Sequence, residues 1–472
     1  MGRIERDFLG EAELPEDALY GLQAKRGADN FALGYKKTNP RLIRAMIIVK
    51  KAAAVTYAEL EKAGTQDIAG ESRQRTCEAI AAACDRLLAG EAADAFILDA
   101  LQGGAGTSTN MNVNEVIANL ALTMTGRKPG EYAFIHPLDD VNRGQSTNDV
   151  FPTALRIAAI GLLRELSEGC AKLQESLQKR ENEFDGIKKL GRTELMDAVP
   201  VTLGAEFGAY AQAIGRDRWR LYKAEERLRQ VNLGGTAVGR PDNASRKYRF
   251  AVIEKLRELT GMGLAAAEYP MDITQNNDVF VEVSGLLKAL AVNLMKIAGD
   301  LRLMNSGPYG GLGEVHLAPL QAGSTIMPGK VNPVIPEMTI QAAVKVMAND
   351  YAVTTAAAHG ELELNALEPL IADALLESLS LLERTVYIFR VKCIDLLSAR
   401  RERCEALLEA SCAFAASYVP VLGYDQVAAV IAGNEGKPEQ VRKELEELSN
   451  FAFTGLPVPS AKFSAGPPFP RP

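Results

Sequence analysis

Residues 283–304 read Val283-Ser-Gly-Leu-Leu-Lys-Ala-Leu-Ala-Val-Asn-Leu-Met-Lys-Ile-Ala-Gly-Asp-Leu-Arg-Leu-Met304. Apolar residues recur here at alternating intervals of four and three, at Val283, Leu287, Leu290, Leu294, Ile297, Leu301 and Met304. Such a seam predicts a long helix that packs against other long helices at a shallow angle. A second stripe runs from Leu155 to Leu177, and strand signals are few. The sequence therefore predicts an all-α fold, a bundle of long helices.

The rest of the chain divides around this bundle. Residues 1–40 are expected to be irregular, and helical periodicity begins at Pro40. Further helices are predicted near 71–90, 116–124, 204–231, 338–353 and 370–397. We predict three domains, 1–140, 141–398 and 399–472, the last with an extended Pro-rich tail from Thr454 that cannot be helical.

Composition excludes several classes of protein. The 472 residues are 47% hydrophobic and 24% charged, as in an ordinary globular protein. A net charge of −7 argues against binding to nucleic acid or to an anionic membrane. No long apolar run and no signal peptide is visible, and the six cysteines form no CxxC pair, so we expect a cytoplasmic protein with reduced thiols. Three scattered histidines predict no zinc site.

A polar loop follows the seam: Gln321-Ala-Gly-Ser-Thr-Ile-Met-Pro-Gly-Lys-Val-Asn-Pro-Val-Ile-Pro-Glu337. Its two glycines and three prolines argue against a helix. It carries two hydroxyls, a cation and an amide, at Ser324, Thr325, Lys330 and Asn332. This combination suits a lid that closes over an anionic substrate. The alternative is an ordinary surface loop.

Three earlier clusters carry similar chemistry. They are Gln102–Glu115, His136–Asp149 and Gly191–Pro200, each placed before a predicted helix. Each alone could be a helix cap, because Ser, Thr, Asn and Asp favour that position. No P-loop lysine and no GxSxG motif is present, so a nucleotide site and a serine triad are not indicated. Together the four segments offer neutral donors and one cation for a small dicarboxylate.

These segments resemble a known family. Gly323-Ser-Thr-Ile-Met-Pro-Gly-Lys-Val-Asn-Pro is similar to the signature loop of the aspartase/fumarase superfamily, and the three clusters resemble its other substrate segments in the same order. The resemblance runs from about Phe8 to Leu422. It implies a homotetramer with a core of long helices, and active sites that are each built by three chains. It also implies removal of a Cβ proton, an enediolate intermediate and loss of a leaving group from Cα.

The resemblance also implies roles for individual residues. By its position in the motif, Ser324 resembles the catalytic base of the family, and Lys330 and Asn332 resemble residues of the family's closed loop. The expected substrate contacts are Thr107, Ser108, Ser146, Thr147, Asn148, Thr193, Glu194, Thr325 and Met327. We expect no metal site and no required cofactor, with activation by a divalent cation left open.

The chain departs from the family pattern near the expected pocket. Glu194 stands where relatives carry His or Gln, Thr325 replaces a serine, and Arg240-Pro-Asp-Asn replaces Thr-Gly-Leu-Asn. The C-terminal part after Gly423 is short and divergent. A carboxylate at 194 favours an ammonium leaving group over hydration. The alternative is that Glu194 pairs with Arg192 or with an arginine of another chain.

We therefore expect a carbon–nitrogen lyase that converts L-aspartate to fumarate and ammonia. Three alternatives stay open. The first is a lyase for another amine, such as an ergothioneine-type betaine that releases trimethylamine. The second is a fumarate hydratase, and the third is a non-catalytic structural homologue.

Overall fold

The computed structural model describes residues 2–64, 68–240 and 244–453. The predicted extended tail from Thr454 lies outside these residues, as do Pro241, Asp242 and Asn243. Helices dominate the described chain, which confirms the all-α class. The α-helices are α1 (Leu22–Asn30), α2 (Pro40–Gly64), α3 (Ile68–Leu88), α4 (Thr107–Met124), α5 (Thr147–Phe184), α6 (Leu203–Leu228), α7 (Arg246–Thr260), α8 (Pro270–Gln275), α9 (Asp278–Met304), α10 (Val334–Ala357), α11 (Glu368–Phe389), α12 (Arg401–Glu409), α13 (Val419–Leu422), α14 (Tyr424–Gly433) and α15 (Pro438–Phe453).

Short strands form four two-stranded sheets in the described part of the chain. The strands are β1 (Gly2–Asp7), β2 (Gly10–Pro15), β3 (Lys188–Thr193), β4 (Met196–Thr202), β5 (Gln230–Val231), β6 (Ala265–Ala266), β7 (Val315–His316) and β8 (Ser398–Ala399). The expectation that residues 1–40 are irregular is wrong, because they hold the β1–β2 hairpin and α1. Alternation of apolar and polar residues over six positions is too short a signal to separate such a hairpin from a loop.

The predicted apolar stripes are buried. In α9, every residue of the seam from Val283 to Met304 is at most 5% exposed. In α5, Leu155, Leu162, Leu166, Leu173 and Leu177 are at most 3% exposed. Removing these side chains from water supplies the main stabilisation of such helices.

Contacts divide the chain into two compact units. The first comprises Met1–Gly169, Asp217–Val292 and Gln341–Thr385, and the second comprises Cys170–Arg216, Asn293–Ile340 and Val386–Pro472. In the first unit, α2 packs against α3, α4 and α7. In the second, the β3–β4 hairpin packs against α12, and β7 pairs with β8. The three predicted domains, 1–140, 141–398 and 399–472, stay a prediction.

The C-terminal helices have a small core of their own. Side chains from α14 and α15 meet Ala415, and the core consists of Ala415, Val427, Val430, Val441, Leu445 and Leu448. All six cysteines of the chain are free thiols, five of them buried and Cys412 half-buried.

No single described helix is long and apolar enough to cross a bilayer. In the part of the chain that the structure describes, one helix pair, Arg401–Glu409 and Ala413–Leu422, reaches the required length and composition, and it is bent by 64°.

Candidate active site

The first predicted cluster forms the start of α4. Gly104, Ala105 and Gly106 all have left-handed backbones, with φ of 78°, 52° and 86°. A Cβ on Gly106 would lie 2.3 Å from the Phe151 ring, so only glycine fits this turn. The turn presents Thr107 and Ser108 as the first residues of the helix. The predicted start of this helix at Val116 is therefore wrong. The three asparagines between Ser108 and Val116 are already helical and buried, and are not loop residues.

The second cluster caps the N-terminus of α5. Asp149 Oδ1 accepts from the Ser146 N–H over 2.9 Å, and Ser146 Oγ accepts from the Asn148 N–H over 3.3 Å. These two bonds cap the first turn of α5, so the capping interpretation of Ser146 and Asp149 holds. Thr147 is buried, and its Oγ1 accepts from the Asn110 amide over 3.0 Å. Because Asn110 donates, the Thr147 hydroxyl hydrogen can be donated to another group.

Asn148 is held by the segment that follows β5. Its side-chain amide donates to the Ala237 carbonyl oxygen over 2.8 Å, and its own carbonyl accepts from Asn232 over 3.0 Å. Asp149 also accepts from the N–H groups of Gly234 and Thr236, over 2.9 and 3.0 Å. Burial raises the pKa of Asp149 to about 6, against the lowering effect of these hydrogen bonds. Residues 232–237 and the start of α5 therefore form one hydrogen-bonded assembly.

A buried polar network lies behind Thr147. Three donors, Lys50 Nζ, Asn110 Nδ2 and Asn114 Nδ2, converge on Asn142 Oδ1 over 2.8, 3.2 and 3.2 Å. Lys50 is fully buried, and burial lowers its pKa to about 7. Sequence analysis missed this network. Lys50 lies among apolar residues of the α2 stripe, and Asn110 and Asn114 are one turn apart. The sequence signal that could have indicated this network is a polar side chain on an otherwise apolar helix face.

The third cluster is a β-hairpin, where the sequence predicted a polar cluster leading into a helix. Thr193 pairs with Met196, and Glu194 and Leu195 form the two-residue turn. Both turn residues have left-handed backbones, with φ of 53° and 64°. Such turns favour glycine and asparagine, so two residues with longer side chains make this tip strained. The tip is also exposed, since Leu195 and Met196 are 72% and 71% accessible.

Glu194 does not pair with Arg192. The Arg192 guanidinium instead donates to Glu314 Oε1 over 2.8 Å. Glu314 is fully buried, and its other oxygen lies 3.0 Å from Lys189 Nζ. Lys189 in turn pairs with Glu206 over 2.8 Å. Within residues 2–64, 68–240 and 244–453, no hydrogen bond or ion pair engages the Glu194 carboxylate, so it is available to a ligand or to another chain.

In the signature loop, two backbone N–H groups donate to the Ser324 hydroxyl. Ser324 Oγ accepts from the N–H groups of Ile326 and Met327, over 3.2 and 2.9 Å. Thr325 and Met327 are exposed, and Ser324 is half-buried. Two N–H groups aimed at one hydroxyl oxygen stabilise negative charge on it.

Three hydrogen bonds hold the two ends of the loop together. The Gly323 N–H donates to the Lys330 carbonyl over 2.8 Å, and Asn332 Nδ2 donates to the Gly323 carbonyl over 2.9 Å. Lys330 Nζ donates to Asn332 Oδ1 over 2.8 Å. A Cβ on Gly323 would lie 2.8 Å from two backbone atoms of the opposite side. The predicted non-helical stretch ends early, because α10 begins at Val334 and includes Pro336 in its first turn.

The predicted site residues fall in both units. The first unit holds Thr107, Ser108, Ser146, Thr147 and Asn148, and Asn110 joins α4 to Thr147 within it. The second unit holds Thr193, Glu194, Ser324, Thr325, Met327, Lys330 and Asn332. Among the described residues, no three His, Cys, Asp or Glu side chains are grouped to hold a metal ion. The expectation that no metal or cofactor is required stays a prediction.

Comparison with known proteins identifies the family of this site. A family model described as lyase matches residues 10–348. The chain belongs to this lyase family. The resemblance to the aspartase/fumarase superfamily is thereby confirmed.

Similar proteins within the family carry related names. An aspartate ammonia-lyase from a Bacillus species is 43% identical over 426 residues, which cover 90% of this chain and 89% of that protein. A fumarate lyase:delta crystallin from Brucella melitensis, in a structure bound to cobalt, is 42% identical with a TM-score of 0.89, over 97% of this chain and all of that chain. A class II fumarase from Schistosoma mansoni also has a TM-score of 0.89, at 28% identity over 98% of this chain and 99% of its own. The fold is therefore shared by proteins with different names, and of these three the fumarase has the lowest identity to this chain, 28% against 42% and 43%.

Proposed function

We propose that this lyase is an aspartate ammonia-lyase, which converts L-aspartate to fumarate and ammonia. The observation that carries the proposal is the 43% identity to an aspartate ammonia-lyase over 90% of the chain. The family's signature loop is intact at Ser324, Lys330 and Asn332, which argues against a non-catalytic homologue.

Ser324 is the proposed base. Its hydroxyl first releases a proton to solvent, to which the half-buried side chain has access, and the N–H groups of Ile326 and Met327 lower the energy of the resulting alkoxide. The released proton and the ammonia lost later together make up an ammonium ion. The alkoxide removes the Cβ proton of L-aspartate, and the C–H electron pair moves into an enediolate on the adjacent carboxylate. The C–N bond then breaks, ammonia leaves with the bonding pair, and fumarate and the Ser324 hydroxyl are left.

Neutral donors stabilise the enediolate in this proposal. Hydroxyls of Ser146, Thr147 and Thr325, with Ser108, supply hydrogen bonds where negative charge develops. The Thr107 hydroxyl donates to the Gly104 carbonyl over 2.7 Å, so in this proposal it exchanges that bond for one to the substrate. Such preorganised donors are the largest contribution an active site of this kind can make. The hydrogen bond from Asn110 supports this role for Thr147, because it leaves the hydroxyl hydrogen available for the substrate.

Asn148, Thr193 and Glu194 face the amine in this proposal, while Lys330 and Asn332 bind the second carboxylate when the loop closes. The Asn148 nitrogen is engaged by Ala237, so its Oδ1 is the atom that accepts from an ammonium group. Met327 shields the closed site from water. Ser324 and Lys330 lie on the same loop, whose two ends are hydrogen-bonded to each other. One movement of this loop would therefore bring the base and the cation to the substrate together.

The assembly and location are proposed as well. A homotetramer, with each site shared by three chains, agrees with the exposed apolar tip of the β3–β4 hairpin, where Leu195 and Met196 face solvent in the isolated chain. A cytoplasmic location agrees with six free thiols. Sedimentation velocity of the purified protein tests the tetramer, and a monomer that is fully active would contradict it.

Glu194 favours a second candidate function. An unpaired carboxylate on the hairpin tip could bind an imidazole N–H or a second cation of a larger substrate, as in a betaine of histidine that releases trimethylamine. A panel of L-aspartate, other amino acids, betaines and malate separates the candidates. Fumarate is followed by its ultraviolet absorbance, and ammonia or trimethylamine is measured directly. Failure to form fumarate from aspartate at any neutral pH would refute the first proposal.

A further inference from the structure

A buried carboxylate joins two elements of the proposed site. Glu314 lies directly before β7, the strand that leads into the Ser324 loop. Its backbone N–H donates to the Met304 carbonyl at the end of α9 over 2.8 Å, and its carbonyl accepts from the Arg400 N–H over 2.9 Å. The residue is fully buried. Its backbone is therefore fixed on both sides.

The side chain of Glu314 reaches the hairpin. Arg192, which donates to it over 2.8 Å, is the residue immediately before Thr193. Arg192 is cross-strand to Asp197 in the pairing of β3 with β4, and Thr193 alone separates it from the strained turn Glu194–Leu195. A strained turn needs support from its surroundings to keep one conformation. The bond from the Arg192 guanidinium to the fully buried Glu314 carboxylate is a polar support close to this turn.

Charge in this cluster is balanced. Two cations, Lys189 and Arg192, face two anions, Glu206 and Glu314. Lys189 has two carboxylate partners, whereas Arg192 has Glu314 as its carboxylate partner. Loss of the Glu314 charge would thus leave Lys189 paired but Arg192 unpaired, which is a strongly unfavourable state for a buried ion pair.

We propose that Glu314 is a positioning residue: through Arg192 it fixes the hairpin tip that presents Thr193 and Glu194 next to the strand from which the Ser324 loop departs. The inference rests on the proposed function for its catalytic consequence. Its structural consequence, an ordered tip, is independent of the substrate. Glu314 does not touch the reacting atoms in this proposal.

Two single variants and their combination test the proposal. Glu314→Gln and Arg192→Met should each lower kcat/KM about 100-fold, the scale on which a small misplacement of a positioning element acts. The double variant Arg192→Met/Glu314→Gln restores charge balance, because Lys189 keeps Glu206. We expect it to recover the thermal midpoint of the wild type but to keep the loss of kcat/KM. If activity returns together with stability, Glu314 is only structural and the proposal is overturned.

Glu206→Gln is the matched control. It removes the other carboxylate partner of Lys189 and leaves the pair of Arg192 and Glu314 in place. We expect kcat/KM within about threefold of the wild type. A loss equal to that of Glu314→Gln would overturn the specific role of the bond to Arg192.

Hydrogen exchange measures the tip without any substrate. Peptides covering residues 189–201 should exchange at least about tenfold faster in Glu314→Gln and in the double variant, and unchanged in Glu206→Gln. Unaltered exchange in both would overturn the proposal even if the enzyme proves to act on a different amine. An inactive wild type with faster exchange in the variants would instead refute the proposed function and leave the positioning role supported.

Discussion

The side-chain amide of Asn148 donates to the carbonyl oxygen of Ala237 over 2.8 Å, and this bond fixes the orientation of the amide. With the nitrogen engaged, the oxygen is the acceptor offered to an ammonium group. Asn148→Asp places a second acceptor against the Ala237 carbonyl and should lower kcat/KM for L-aspartate about 100-fold. Steady-state kinetics with Asn276→Ala, an exposed amide that bonds only within its own turn, serve as the control. Full activity in Asn148→Asp would remove Asn148 from the site.

Asn110 and Thr147 should act as one unit. Thr147→Val keeps the shape but loses the hydroxyl, and Asn110→Leu loses the donor that orients it. Each should lower kcat/KM about 10- to 100-fold, and the double variant should be no worse than Thr147→Val alone. A double-mutant cycle measures this coupling. Strictly additive losses would mean that Asn110 does not act through Thr147.

Ser324→Ala should abolish proton abstraction. We expect kcat to fall by at least about a thousandfold, with far-ultraviolet circular dichroism and the thermal midpoint unchanged, because Ser324 is on a loop. Thr325→Ser removes one methyl group from the adjacent residue and should change kcat less than about tenfold. A Ser324→Ala enzyme that retains most of its turnover would contradict the assignment of the base.

Glu194→Gln should weaken the attraction to an ammonium substrate. In the proposed site the Glu194 carboxylate faces the ammonium group of the substrate, so removing its charge should lower kcat/KM for L-aspartate about 10-fold or more. Glu363→Gln, at another exposed glutamate, is the control and should have no effect. If the variant loses activity only toward a betaine in the substrate panel, the second candidate function is the correct one.

Lys50 should make stability depend on pH. Burial lowers its pKa in the folded protein to about 7, from a usual value of 10.5. Between these values the unfolded chain binds more protons than the folded chain, so the free energy of unfolding should rise with pH, by at most about 1.4 kcal/mol per pH unit. Urea unfolding from pH about 7 to about 10 measures this slope, and Lys50→Met should remove the part due to Lys50. Parallel curves for the two proteins would show that Lys50 titrates normally.

Much of the fold follows from local patterns. The stripes of α5 and α9 repeat over many turns, and a repeat of that length and period is typical of a long helix with one buried face. The β1–β2 and β3–β4 hairpins could not be predicted from the sequence, because neither has a long alternating pattern. In addition, the turn at Glu194–Leu195 lacks the glycine or asparagine that marks such turns.

The loop at Ser324 was identified correctly as non-helical, whereas the buried polar groups behind Thr147 and next to Arg192 were not identified. Lys50, Asn142 and Glu314 are separated in sequence from the residues that they contact, by as much as 122 positions for Arg192 and Glu314. A lone buried charge in a sequence gives no indication of its partner, since pairing is decided by the tertiary fold. The candidate site residues could be named from the sequence because their segments are polar, compact and similar to those of a known family.

The turn at Glu194 and Leu195 has a consequence for the evolution of the sequence at the hairpin tip. Two left-handed residues with side chains cost on the order of 1–2 kcal/mol each relative to glycine. Substitution by glycine would therefore stabilise the hairpin and remove the groups that it presents. Under the proposed role of Glu194, selection for stability and selection for substrate choice would act on position 194 in opposite directions. Drift toward glycine would mark a lineage that no longer uses the tip.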